Sequence, residues 1–185
     1  MLKPKRQKSC KTCGEKFTPF NSMQKTCATA KCAVPHGKKL QAKEYKAETK
    51  RLKDKIKTRS DWLREAQTAF NAYIRARDKG RPCISCDKPD NGNHQRHASH
   101  YRSVGACSAL RFNTFNVHAS CATCNGTLSG NLLEYRIRLI NKLGADRVEW
   151  LECQNKLVRY DIEYLAKLKK IFNKRARRLI HRAVV

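Results

Sequence analysis

The sequence predicts a mostly helical α+β chain built around one small unit of short strands, with a second cysteine knuckle at the N-terminus. Three observations lead there. Cys83/Cys86 and Cys121/Cys124 are two Cys-x-x-Cys pairs that bracket a polar segment. Cys10, Cys13, Cys27 and Cys32 repeat the device with the spacing C-x2-C-x13-C-x4-C. Segments of helical periodicity fill most of the rest. Eight of the ten cysteines fall into these pairs, which favours two structural Zn²⁺ ions per chain over disulfides. MLKPKRQKSCKTC holds no apolar core for a secretory signal, which points the same way.

The 185 residues allow one domain, or a small core with accessory segments. The formal net charge is +26. Two four-thiolate zinc sites would each carry −2, leaving about +22. A surplus of this size selects a polyanionic partner, nucleic acid first and an anionic membrane surface second. No run of about 18 apolar residues is present, so no membrane span is expected.

In chain order, residues 10–32 read as a small zinc ribbon or treble-clef-like knuckle, with Gly14 turning the chain and Phe17 and Phe20 supplying its core. Residues 37–59 read as an exposed basic helix or linker. Its apolar stripe of Leu40, Tyr45, Leu52 and Ile56 is thin, and Lys50, Arg51, Lys53 and Lys55 are offered to phosphate. Ser60 is expected to cap a helix running to about Lys79, with Asp61 in the first turn and Trp62, Ala66, Ala69, Phe70, Tyr73 and Ile74 as its core stripe. Gly80 and Pro82 end it. Residues 131–143 form an amphipathic helix stopped by Gly144, and a short helix covers 145–153. Asp161 caps a last helix to about residue 181, with Ile162, Leu165, Leu168, Ile171 and Phe172 facing inward. Lys170, Lys174, Arg175, Arg177 and Arg178 lie in its acid-free half, which suits a nucleic-acid backbone. Cys107 and Cys153 remain unpaired and read as small buried residues.

Zinc accounts for the cysteines of the central stretch but not for His94, His97, His100, Asn113, Asn116 and His118. QRHASHYRS predicts a short strand. RFNTFNVH (Arg111–His118) predicts a loop entering a second strand, and Asn125 stands where a helix begins. Strand elements are expected only here. His94 reads as a surface loop residue and Asn113 as a turn residue. His118 has two equal readings, a phosphate ligand or a hairpin hydrogen-bonder.

A strand, loop, strand and helix carrying His, Asn and His or Asn between zinc knuckles resembles the HNH, or ββα-metal, endonucleases. The wording CISC, HYR and LRFN..N.H..C..CN...SGNL..YR.. is similar to the NinG/Rap recombination proteins of lambdoid phages, closely over residues 60–145 and in layout over the N-terminal part. The resemblance implies a metal-dependent endonuclease that cuts branched recombination intermediates such as four-way junctions and D-loops, acting as a homodimer in the host cytoplasm. It divides the chain into a knuckle (1–36), a basic helix or linker (37–59), a nuclease domain (60–153) and a basic C-terminal helix (154–185). It makes His100 the general base, Asn116 the residue that holds the hairpin loop, and Asn125 a ligand of a catalytic Mg²⁺ or Mn²⁺. Ser99 is a poor ligand, and His97 stands where the family pattern has an Asp, so His97 is the expected second ligand; imidazole in that place favours Mn²⁺ or softer ions. Leu128 stands where the pattern has a Lys. Arg102, Arg111 and His118 complete the expected DNA contacts. The alternative class is a zinc-stapled module that coats or bridges DNA without cutting it.

Overall fold

The computed structural model describes residues 7–92 and 95–183; His94 lies outside them. The chain forms two compact units, Met1–Lys57 and Thr58–Val185. It is a mostly helical α+β protein with two small sheets.

In the first unit, β1 (Lys8–Ser9) and β2 (Lys16–Phe17) form a two-residue antiparallel ladder. The sequence predicts strands only in the central stretch; this pair is too short to show periodicity. Gly14 turns the chain between them with φ +80, a conformation that costs other residues strain. Phe20 is 93% exposed and Phe17 half-buried, so only one of the two expected core aromatics contributes and the knuckle leans on its cysteines. α1 (Ala30–Ile56) starts seven residues before the expected position and includes Cys32 in its first turn. Pro35 deprives the Lys31 carbonyl of its helical partner, and both residues lie on an exposed face of the helix. Leu40, Tyr45, Leu52 and Ile56 are all exposed, which leaves α1 a solvated basic helix.

In the second unit, α2 (Arg59–Arg77) is capped by Thr58, not Ser60. The Thr58 hydroxyl accepts from the Asp61 amide and the Asp61 carboxylate accepts from the Thr58 amide, a reciprocal capping box. α5 (Ile162–Arg182), capped by Asp161, packs along α2. Phe70 lies edge-on to both Phe112 and Phe172 in a core that includes Ala66, Ile74, Val117 and Leu165. Ile162 and Ile171 are exposed: they flank the stripe that Leu165, Phe172 and Ala176 fill.

β3 (Arg96–His100) and β4 (Val117–Cys121) form an antiparallel hairpin in which Ser99 faces His118 and His100 faces Val117. One face packs on the α2–α5 core through Ala98 and Val117. The other meets Tyr135 of α3 (Leu132–Leu143), which forms a second core with Tyr101, Leu139, and Val148 and Leu151 of α4 (Ala145–Glu152). Gly144 separates α3 from α4 with φ +87. Cys107 is fully buried as expected, but Cys153 is exposed because it follows the last turn of α4. No helix among the described residues is long and apolar enough to cross a membrane.

Candidate functional site

Both cysteine quartets are assembled. Within each, the four sulfurs lie within 4.8 Å of one another. Cys13 and Cys27 Sγ are 3.9 Å apart, and Cys86 and Cys121 Sγ 3.7 Å. A tetrahedral ion with bonds of about 2.3 Å requires sulfur separations of about 3.8 Å, so each quartet can hold zinc. Backbone amides already point at the sulfurs: Thr12 and Cys27 N–H at Cys10, Ser85 and Cys121 N–H at Cys83, and Cys124 N–H at Cys121. Such donors favour thiolate. Cys10 falls to about 6, chiefly through the Cys13 amide; the Glu15 amide works to lower Cys13 as well, but contact with the other sulfurs and burial outweigh it and hold Cys13 up at about 12. Desolvation works against Cys121, yet the Cys124 amide and neighbouring thiols bring it down to about 7. Metal entry therefore displaces protons.

The central quartet is joined to β4 by covering its open edge. Val117 O accepts from Arg77, Ala119 N–H donates to Asp78, Ala119 O accepts from the Ile84 amide, and Cys121 N–H donates to Cys83 Sγ. An uncovered edge would invite other strands; here a salt-bridged pair ending α2 and the knuckle backbone close it. Arg77 also donates to Thr114 O and grips the 3%-exposed Asp78. Asp78 stays ionised: burial raises its pKa, but Arg77 and the Ala119 amide outweigh that and hold it low. Sequence reading missed this pair. Its only signal is an Asp at the end of a basic helix, before Gly80 and Pro82.

Asn116 closes the other end of the hairpin. It is fully buried, and its backbone O accepts from Tyr101 N–H. Its Oδ1 accepts from Arg102 N–H at 2.8 Å, and its Nδ2 donates to the carbonyls of Arg102 and Leu110 at 3.0 and 3.2 Å. The chain is thus fixed immediately after His100. The half-buried His100 has Nε2 2.9 Å from Arg111 O. A carbonyl only accepts, so the neutral ring carries its proton on Nε2 and Nδ1 holds the lone pair. Burial, the largest effect, lowers its pKa against the opposing Arg111 carbonyl, and the ring is neutral at pH 7.

His118 is 2% exposed and faces inward, so it is not a phosphate ligand in this fold. The Tyr135 hydroxyl gives its one proton to Ser99 O and accepts from His118 Nδ1 at 3.1 Å. Desolvation brings the His118 pKa down to about 3. Strand alternation sends His97 and His100 from opposite faces of β3, so they do not chelate one ion. Half-buried Asn125 lies in a π-type turn, Thr123–Thr127, directly after Cys124. Among the described residues, only the two cysteine quartets bring together three or more His, Cys, Asp or Glu donors.

The expected DNA-contacting side chains fall into three groups. Lys53, Lys55, Lys170, Lys174, Arg175, Arg177 and Arg178 are exposed, with Arg175 lying over the rings of Tyr73 and Phe172. Lys50 and Arg51 are exposed but paired to Asp54 and Glu48. Arg102 and Arg111 are half-buried and bonded to Asn155 and Gln67.

The chain matches the profile of the family described as Bacteriophage Lambda NinG protein over residues 1–182. It is 38% identical to Protein ninG of Escherichia phage 933W over 201 aligned positions, covering 95% of this chain and 98% of that one. To Protein ninG of Escherichia phage lambda it is 37% identical over 203 positions, covering 95% and 98%. To Protein ninG of Salmonella phage P22 it is 43% identical over 108 positions, covering 58% and 52%. No solved structure matches.

Proposed function

Because the chain belongs to the NinG family of lambdoid phages, we propose that it is a metal-dependent endonuclease of the HNH type that cuts branched DNA during phage recombination. The observation that supports this best is the clamped hairpin: Asn116 fixes the chain after His100, and the Arg111 carbonyl orients the imidazole with a free Nδ1. A neutral imidazole held this way is suited to take a proton from attacking water. A Mg²⁺ or Mn²⁺ ion, when bound, supplies positive charge for the departing 3′ oxygen. Asn125 is the side chain proposed to hold it; His97, the other expected ligand, leaves β3 on the face opposite His100 and so does not share an ion with the water that His100 would activate. Such ions commonly use one or two protein ligands and fill the rest with water and substrate oxygens, so the lack of further donors does not exclude them. Two cuts on a four-way junction call for a symmetric dimer.

The test is digestion of a synthetic four-way junction, a D-loop and plain duplex, side by side, with Mg²⁺ and then Mn²⁺. Cutting of the branched substrates in preference to duplex is expected. A second reading has its own support: His97 and His100 leave opposite faces of β3, which suits a module that binds DNA without hydrolysing it. Absence of cutting on every branched substrate with either ion would select that reading.

The exposed cations of α5 are expected to supply phosphate contacts in either case. Replacing Lys170, Lys174, Arg177 and Arg178 with Gln should flatten the dependence of log K on log salt by about 3 to 4, near one unit per lost contact. Fluorescence anisotropy across a salt series measures it; an unchanged slope would leave the tail a solvated face.

A further inference from the structure

A cleft of about 470 Å³ opens beside the hairpin loop, lined by Asn113 and Phe115 of that loop, Gly144 after α3, and Asp146, Arg147 and Trp150 of α4. Phe115 is 42% exposed and Trp150 48%. The Arg147 guanidinium lies 4.5 Å from the centre of the Phe115 ring. Single exposed aromatic residues are ordinary on a protein surface. Two on one cleft, next to a stacked Arg, in a chain of net charge +26, form a combination suited to a planar group on a polyanion.

We propose that this cleft receives an unpaired nucleobase of branched DNA, stacked against Phe115 and Trp150. The inference rests on the reading of the chain as a branched-DNA protein and adds where an unpaired strand is held. The lining favours a base over a phosphate. Asp146 would repel a phosphate closely placed, yet it accepts from the N–H groups of a base edge. Asn113 Oδ1 is committed to the amides of Phe115 and Asn116, which leaves its NH₂ to donate to a base acceptor. The base must be unpaired, because in intact duplex its faces are covered by neighbouring bases. A second copy of the chain is the poorer occupant, since two surfaces of this charge repel without a polyanion between them. Phe115 directly precedes Asn116, the clamp behind His100, so the cleft adjoins the proposed catalytic hairpin.

Trp62 and Trp150 are the only tryptophans, which makes a direct readout possible. In full-length, zinc-loaded Trp62→Phe protein, saturating single-stranded oligothymidylate should quench Trp150 emission, while blunt duplex of equal length should bind without quenching. Phe115→Ala and Trp150→Ala should each weaken single-strand binding about 5- to 100-fold, the range of one base–aromatic stack. The salt slope should stay unchanged, because neither substitution removes charge. Trp150→Phe should retain most of the affinity. Single-strand binding seen by anisotropy without quenching, or undiminished in both alanine variants, would overturn the stacking site and leave the nucleic-acid reading standing. Alanine variants that bind DNA normally but change the sedimentation of the free protein would assign the face to a second copy instead. Absence of binding to any DNA would overturn both the site and the reading beneath it.

Discussion

His100→Ala is expected to lower cleavage of branched DNA by about 10²- to 10⁴-fold, the usual contribution of general acid–base catalysis. Zinc content, melting temperature and junction binding should remain near wild type. The side chain makes one hydrogen bond, to the Arg111 carbonyl, and its loss should cost about 1 kcal/mol. The loop does not depend on it, because Asn116 ties Tyr101, Arg102 and Leu110 together on its own. The pH profile gives a second readout. A base works deprotonated, so the rate falls as pH drops through the pKa of the ring. Burial places that pKa below the ordinary histidine value of about 6.5, and the acid limb should therefore lie below pH 6.5. Residual cutting by His100→Ala should lack this limb. Near wild-type cutting by the variant would remove His100 as the base.

What the sequence disclosed was periodic or covalent in origin. The spacing of paired cysteines identified both quartets, and helical spacing identified Ala66, Ala69, Phe70 and Ile74 as core. The misses turn on contacts or exposure that residue type alone does not fix. Ser60 is by residue type at least as good a cap as Thr58; the reciprocal bond with Asp61, three residues on, selects Thr58. α1 starts at Ala30 despite Pro35, which lies on an exposed face in the helix's first two turns. Phe20 reads as core, but a cysteine-held knuckle does not need it. By sequence His118 suits a phosphate ligand and a hairpin hydrogen-bonder equally, and Tyr135, 17 residues away, resolves it. Asp78 escaped for the same reason: its partner amide belongs to Ala119, 41 residues on.

Cys124→Ser should unfold the hairpin region rather than only slow the protein. Structural zinc in small units contributes about 10–16 kcal/mol of apparent binding energy, against a net stability of about 5–15 kcal/mol for a whole domain. Losing one of four ligands therefore threatens the local fold. The connections show where. Cys124 O accepts from Gly130 N–H, Gly130 O accepts from Ser85 Oγ, and Asn131 Nδ2 donates to Ser85 O, so the quartet and the entry to α3 form one bonded set. Cys83 Sγ also completes the covered edge of β4. The α2–α5 core receives Val117 and Ala98 of the hairpin, but its helices pack on each other through Phe70, Ile74, Leu165 and Phe172, none of which belongs to that bonded set. Hydrogen exchange on Cys124→Ser should thus show protection lost across β3, β4 and the start of α3 while α2 and α5 stay protected. Elemental analysis should fall from two zinc ions per chain to one. Cys153→Ser, at an exposed cysteine outside both quartets, should keep both ions and the wild-type exchange pattern. Fewer than one zinc per chain in protein purified without chelator, or wild-type protection in Cys124→Ser, would show that the hairpin stands without metal.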